Sequence, residues 1–106
     1  MRYKVVIAKR AEELINSAIN YIINNLKNAQ AAENMLLEVE YILGNLETNP
    51  MMYSYSEDPY LIERGYRRAT ISQYNYVLIY RIDVETKVVY IAGFFHNLEA
   101  YQSKLY

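Results

Sequence analysis

The spacing of apolar residues changes twice along the chain. Residues 2–7 alternate between apolar and polar side chains, which predicts a short strand. From residue 11 to 26 and again from 32 to 46, apolar residues recur every three or four positions, the spacing of one buried helical face. Asn28 is a suitable N-cap for the second run, and Pro50 ends it. Because the link between the runs is short, the pattern predicts an antiparallel helical hairpin.

The second half of the chain has the pattern of strands. Residues 50–60 are polar and rich in tyrosine, with a proline near each end, and predict a loop. A charged strand is predicted from Tyr60 to Ile71, with a bulge or bend at Gly65. Two strongly apolar strands follow at 74–82 and 87–95. The four residues between them predict a hairpin loop.

The order of these elements predicts an α+β fold of the type β-α-α-β-β-β, in one domain over residues 1–106. In it the helical hairpin packs on one face of a twisted, mainly antiparallel, four-stranded sheet. Both alternations of the strand at 74–82 are apolar or aromatic. Since the helices can cover only one face, we expect the uncovered, tyrosine-bearing face to be completed by another molecule.

Composition narrows the class of protein. The chain has 106 residues, 53% of them hydrophobic, which is enough for one folded domain with one core. It has no cysteine, which excludes disulfides and thiolate metal sites and favours a reducing cytoplasm. The first residues regain charge after a short apolar run, so they predict neither a signal peptide nor a membrane span.

Charge and tyrosine content bear on partners. The net charge of −1 argues against a strongly basic binder of polyanions, although residues 61–106 carry a net +2. The 13 tyrosines are the outlying feature, because a phenol combines a broad apolar ring with a polar tip. Such side chains suit a surface that is sometimes covered by a partner and sometimes exposed to water.

The segment GYRRATISQYNYVLIYRIDVETKVVYIAGFFHNLEAYQSKL places an arginine, a tyrosine-rich strand, a second apolar strand, a histidine and a tyrosine–leucine ending in that order. In this order, and over essentially its whole length, the chain resembles the RelE/ParE superfamily, the toxin halves of bacterial type II toxin–antitoxin modules. The helical pattern around Ala11, Leu14, Tyr21 and Ile22 also fits. The positions that carry the resemblance in the segment are Arg67 or Arg68, Tyr76, Tyr80, Arg81, Ile82, His96, Tyr101 and Leu105.

The resemblance implies a growth-arresting toxin that a cognate antitoxin protein binds and neutralises, with no membrane involvement. A homodimer, or a heterotetramer with the antitoxin, is compatible with it. Two activities occur in the superfamily: RelE-like members cleave mRNA on the ribosome, and ParE-like members inhibit DNA gyrase. Two positions that hold arginine in RelE-like toxins hold Val77 and Asn97 here. The resemblance therefore favours gyrase inhibition; the alternatives are a ribosome-dependent mRNA interferase and an inactive relative.

The same resemblance supplies candidate site residues. If the protein is a ribonuclease, His96 is the candidate general acid or base, helped by Tyr101 and by Arg67 or Arg68. The residues expected to contact the antitoxin or the target are Tyr74, Tyr76, Tyr80 and Arg81. Residue type alone also permits plain packing for the tyrosines and solvation for the arginines. No metal, cofactor or nucleophile motif is present, so we expect none of these groups.

Overall fold

The structure is a computed structural model, and it describes residues 2–96. Single 3₁₀ turns occupy Pro50–Met52 and Gln73–Asn75. The helices and strands are β1 (Lys4–Ile7), α1 (Lys9–Asn24), α2 (Ala29–Thr48), α3 (Pro59–Glu63), β2 (Arg67–Ile71), β3 (Tyr76–Asp83) and β4 (Val88–His96).

The four strands form one sheet in the order β1-β4-β3-β2. β1 forms one edge of the sheet and runs parallel to β4, whereas the β3–β4 and β2–β3 pairs are antiparallel. The predicted α+β fold with a mainly antiparallel sheet is confirmed. The β3–β4 register shifts after Ile79, which pairs with Gly93, whereas Tyr80 pairs with Ile91. Ala92 is thus an extra residue in β4, a bulge that bends this strand pair.

The helical hairpin covers one face of the sheet, as predicted. Asn28 caps α2, and its Oδ1 atom accepts a hydrogen bond from the Ala31 amide at 3.1 Å. The core between the helices and the sheet is built from the three-and-four stripes of both helices and from alternate strand residues. Its fully buried members include Ala11, Ile22, Met35, Leu46, Leu78, Tyr80 and Ile91.

The predicted strand from Tyr60 to Ile71 is wrong in its first half. Residues Pro59–Glu63 form a short helix, because the Asp58 side chain accepts hydrogen bonds from the amides of Tyr60 (2.9 Å) and Leu61 (3.1 Å). Gly65 follows that helix with φ +80°, a left-handed conformation that glycine adopts without strain. It turns the chain after the helix rather than forming a bulge, and β2 begins only at Arg67.

The expectation that the tyrosine-bearing face of the sheet is uncovered is wrong, because Tyr76 and Tyr80 face the helices. The opposite face is not open at its centre either. Val77, Ile79 and Phe95 point away from the main core, yet each is at most 1% exposed. They form a second apolar cluster, and the partly buried side chains of Leu14 and Tyr66 pack against it. The apolar alternation on this face of β3 therefore reflects a small second core, so another molecule is not needed to cover these side chains.

Candidate functional site

The end of β4 opens into a cleft of about 240 Å3 between α1 and the β3–β4 pair. We call it the histidine cleft, because His96 is the only titratable group among its described residues apart from tyrosine phenols. Tyr21 and Ile22 come from α1 and Leu26 from the link between the helices. Tyr74 comes from the turn before β3, and Tyr76 is the first residue of β3. The described lining residues are thus Tyr21, Ile22, Leu26, Tyr74, Tyr76 and His96.

Strand pairing fixes the two central rings of the cleft. Tyr76 and His96 lie directly opposite each other in the β3–β4 ladder. The Tyr76 ring stacks on Phe94, with centroids 5.0 Å apart and planes 6° apart. It meets the imidazole of His96 edge to face at 5.5 Å. These contacts hold Tyr76 and His96 as one aromatic wall.

Tyr74 reaches the cleft from a strained turn instead of from the predicted strand. Tyr74 and Asn75 both have left-handed backbones, with φ of 58° and 56°. A tyrosine adopts that conformation only when its surroundings impose it, at a cost of about 1 kcal/mol or more, whereas an asparagine tolerates it. Here Glu38 accepts hydrogen bonds from the amide and hydroxyl of Ser72 at 3.0 and 2.9 Å. The Asn28 amide group donates to the Tyr74 hydroxyl at 3.3 Å.

A second cavity of about 310 Å3 continues from the histidine cleft along α1. It shares Tyr21 and Tyr76 with the cleft, so the two spaces meet at these rings. Its described lining residues are Leu14, Ser17, Ala18, Tyr21, Tyr76 and Phe94. We call the two cavities together the α1 groove. Its walls are apolar and aromatic, with phenol and hydroxyl groups at the rim.

Arg67, a predicted catalytic residue, is held at the other end of the sheet. Its Nη1 atom donates to the backbone carbonyls of Tyr53 at 2.6 Å and Met51 at 3.3 Å. The guanidinium also lies 4.0 Å from the ring centre of Tyr55. These bonds anchor the loop after α2 to β2, so the described contacts of Arg67 are structural.

The prediction that Tyr80 belongs to a binding surface is wrong. Its side chain is fully buried beneath the helices, and its hydroxyl donates to the carbonyl of Pro50 at 2.7 Å. The Tyr53 ring packs edge to face against it at 6.4 Å. Burial raises the pKa of the Tyr80 phenol well above its usual value, because an ionised phenolate would lose its hydration.

The remaining predicted site residues are dispersed. Arg68 lies on the sheet face opposite Arg67, beside Glu57 at 3.4 Å. Arg81 is exposed, and its guanidinium lies 4.6 Å from the ring centre of Tyr90. Tyr101 lies outside the described residues. The structure therefore brings together His96, Tyr74 and Tyr76, but neither Arg67 nor Arg68 joins them.

Within residues 2–96 there is no group of three or more His, Cys, Asp or Glu side chains placed to hold a metal ion. Over the same residues, no helix combines the length and the apolar character required to cross a membrane.

A sequence model described as "ParE toxin of type II toxin-antitoxin system, parDE" matches residues 5–101. The chain belongs to this ParE toxin family. It is therefore a toxin of the type II toxin–antitoxin class, within the RelE/ParE superfamily that the sequence resembles. None of the curated protein sequences gives a significant match.

Solved structures with the fold of this ParE-family toxin include chains from the three systems that follow. The chromosomal ParDE toxin–antitoxin system from P. aeruginosa superposes with a TM-score of 0.68 at 14% identity, covering 89% of this chain and 95% of that one. A mutant of the E. coli toxin RelE in the free state gives 0.62 at 16% identity, covering 100% and 92%. The RelBE2 toxin–antitoxin complex from Mycobacterium tuberculosis gives 0.61 at 21% identity, covering 93% and 95%.

Sequence reasoning missed the contribution of α1 to the groove of this ParE-family toxin. Tyr21 stands off the buried stripe of α1 and is 50% exposed, although it lines both cavities. The signal available in the sequence was an aromatic residue outside the apolar stripe of α1. Its neighbour in space, Tyr74, is 53 positions away in the sequence, so no local pattern could have paired the two residues.

Proposed function

We propose that this toxin arrests growth by binding and inhibiting DNA gyrase, without cutting RNA. The observation that carries the proposal is the composition of the histidine cleft: none of its described lining residues is Lys or Arg. Cleavage of RNA builds negative charge on the phosphate in the transition state, and enzymes stabilise it with cations or donors placed in contact. The described lining offers phenol groups as donors but no cation to balance that charge.

The positions of Arg67 and His96 in the sheet support the same conclusion. Arg67 pairs with Tyr80 in the sheet, whereas His96 pairs with Tyr76. Four residues along β3 separate these pairs by about 13 Å, at roughly 3.3 Å per residue. Val77 occupies one of the positions where RelE-like toxins hold arginine, and it is buried in the second apolar cluster. A phosphate at His96 therefore receives no cation from Arg67 or from position 77.

We assign binding to the α1 groove. Tyr21 and Tyr74 are 50% and 38% exposed, so their rings offer aromatic area to a partner at low conformational cost. Tyr76 is fixed between Phe94 and His96 and forms part of the groove wall. A cognate antitoxin whose helical or extended segment covers this groove would block the surface that meets gyrase, and so neutralise the toxin.

An assay of gyrase supercoiling with purified toxin tests the proposal. We expect inhibition by the wild-type toxin and at least a tenfold weaker inhibition by Tyr21→Ala, because truncation of an aromatic anchor removes buried contact area. Tyr41→Ala is the matched control: Tyr41 is 69% exposed on α2, outside the groove. Full gyrase activity at saturating wild-type toxin would refute the proposal.

The second candidate function is ribosome-dependent mRNA cleavage. It is favoured by one observation, the contact of the His96 imidazole with the Tyr76 ring in an open cleft. An imidazole can act as a general acid or base. In that case His96→Ala would abolish cleavage of translated mRNA, and gyrase would retain its activity. An inactive relative would show neither effect when expressed.

A further inference from the structure

A separate cleft of about 310 Å3 lies between the loop after α2 and the edge strand β2. We call it the Arg68 cleft. Arg68 supplies its charge, Thr70 and Ser54 supply polar groups, and Met52 and Tyr53 supply apolar wall. Its described lining residues are Met52, Tyr53, Ser54, Arg68 and Thr70. It shares no described lining residue with the α1 groove.

The guanidinium of Arg68 is incompletely paired. Its Nη1 atom makes a long contact of 3.4 Å with the Thr70 hydroxyl. Its Nη2 atom lies 3.4 Å from Glu57, whose side chain is 84% exposed. The Nε atom is shielded from solvent and has no hydrogen-bond acceptor among the described residues. The edge formed by Nε and Nη2, which normally binds a carboxylate through two parallel hydrogen bonds, thus has only one weak partner.

We propose that the Arg68 cleft binds the carboxylate of an acidic side chain on a partner protein. Such a group can accept hydrogen bonds from Nε and Nη2 together once Glu57 moves aside. A nucleic-acid backbone would need several available cations along a track. The neighbouring Arg67 is instead bonded to backbone carbonyls, which leaves a single guanidinium beside apolar walls. This composition fits one acidic side chain flanked by apolar residues.

Glu57 acts as an internal competitor in this arrangement. Its carboxylate is the only acidic group within salt-bridge distance of Arg68 among the described residues. Because its side chain is mostly exposed, it gains little from the contact and a partner carboxylate can displace it. The proposal is independent of whether the toxin inhibits gyrase, since the cleft lies apart from the α1 groove.

The test uses the purified toxin and three probes. They are a capped pentapeptide with one glutamate between leucines, the same peptide with glutamine, and inorganic phosphate. Affinity is measured for every variant by NMR from the backbone amide resonances of the cleft residues. In the variants that keep Arg68, its Nε–H resonance, assigned from its loss in Arg68→Lys, reports contact with the guanidinium. We expect the glutamate peptide to shift this resonance and to bind at least tenfold more weakly to Arg68→Gln. Glu57→Gln should bind it several-fold more tightly, because the competing carboxylate is gone.

Arg81→Gln is the matched control, since Arg81 is also a surface arginine but lies outside the cleft. Its affinity for the peptide should equal that of the wild type. The backbone amide spectrum of each variant tests whether that variant is folded. The proposal is overturned if the glutamine peptide binds as well as the glutamate peptide, or if the glutamate peptide leaves the Arg68 resonance unchanged. Phosphate binding more tightly than the peptide would overturn the assignment to a carboxylate.

Discussion

At the scale of single residues, the degree of burial distinguishes tyrosines that the sequence pattern places on the same face of a strand. Tyr76 and Tyr80 share one alternation of β3 and face the helices. Tyr76 sits where α1 leaves a groove, so its ring lines a cavity. Tyr80 sits where the loop after α2 closes over the sheet, and its hydroxyl bonds to Pro50. The first is therefore available to a partner, whereas the second joins β3 to that loop.

Replacing Tyr80 with phenylalanine removes the donor to the Pro50 carbonyl and leaves that carbonyl buried without its partner. We expect the free energy of unfolding to fall by about 1–2 kcal/mol. Urea denaturation measures it. Tyr41→Phe is the control, and its stability should stay within about 0.5 kcal/mol of wild type, because this phenol is largely exposed. Equal stability of the two variants would contradict the role given to Tyr80.

The raised pKa of Tyr80 predicts how stability varies in alkaline solution. Below its ordinary pKa near 10, the phenol is neutral in both the folded and the unfolded state. Above that pH the unfolded chain loses this proton first, so the unfolded state is favoured and stability falls. The Tyr80→Phe variant has no phenol at this position, so its free energy of unfolding does not fall through this ionisation. We therefore expect the stability gap between wild type and variant to narrow by about 1 kcal/mol between about pH 9.5 and about pH 11. A constant gap would contradict the prediction.

At the scale of elements, the two described glycines outside the sheet have opposite roles. Gly44 lies within α2 in open space: apart from its chain neighbours and the backbone of its own helix, no atom lies within 4 Å of the position of an added Cβ. Gly65 turns the chain after α3 with a left-handed backbone. Alanine in place of Gly44 should thus stabilise the protein, whereas alanine in place of Gly65 should strain the backbone.

We expect Gly44→Ala to raise the free energy of unfolding by about 0.5–1 kcal/mol, because glycine loses more backbone entropy in a helix. Gly65→Ala should lower it by about 1 kcal/mol, since alanine resists positive φ. Thermal unfolding of the two variants and of the wild type measures both changes in the free energy of unfolding. A destabilised Gly44→Ala would show that α2 makes a close contact at this position.

The elements differ in how well the sequence predicts them, for physical reasons. The two long helices repeat their apolar stripe over several turns, so their period is clear. The helix Pro59–Glu63 is too short to show a period, and only its Asp58 cap and initial proline indicate it. The second apolar cluster around Ile79 was also missed. Alternation places its members on one face but does not reveal which side chains elsewhere in the chain will cover them.

At the scale of the whole molecule, sheet order determines which candidate residues can act together. Sequence reasoning selects His96, Tyr74 and Tyr76. The β3–β4 register pairs His96 with Tyr76, and the turn before β3 adds Tyr74 to the same cleft. Sequence reasoning also selects Arg67 and Arg68, whose positions depend on the β2–β3 register and on the loop after α2. These are long-range pairings that local pattern does not encode. The separation of the cations from the imidazole is thus a property of the fold, and it favours a toxin that binds over one that cleaves.

The most direct test of this account is to map mRNA 5′ ends across the transcriptome during growth arrest by the wild-type toxin. Because no described cation lines the cleft that holds His96, we predict the same ends as in cells that do not express the toxin. New 5′ ends within translated mRNAs, absent when His96→Ala is expressed, would contradict the account and establish the toxin as a ribonuclease.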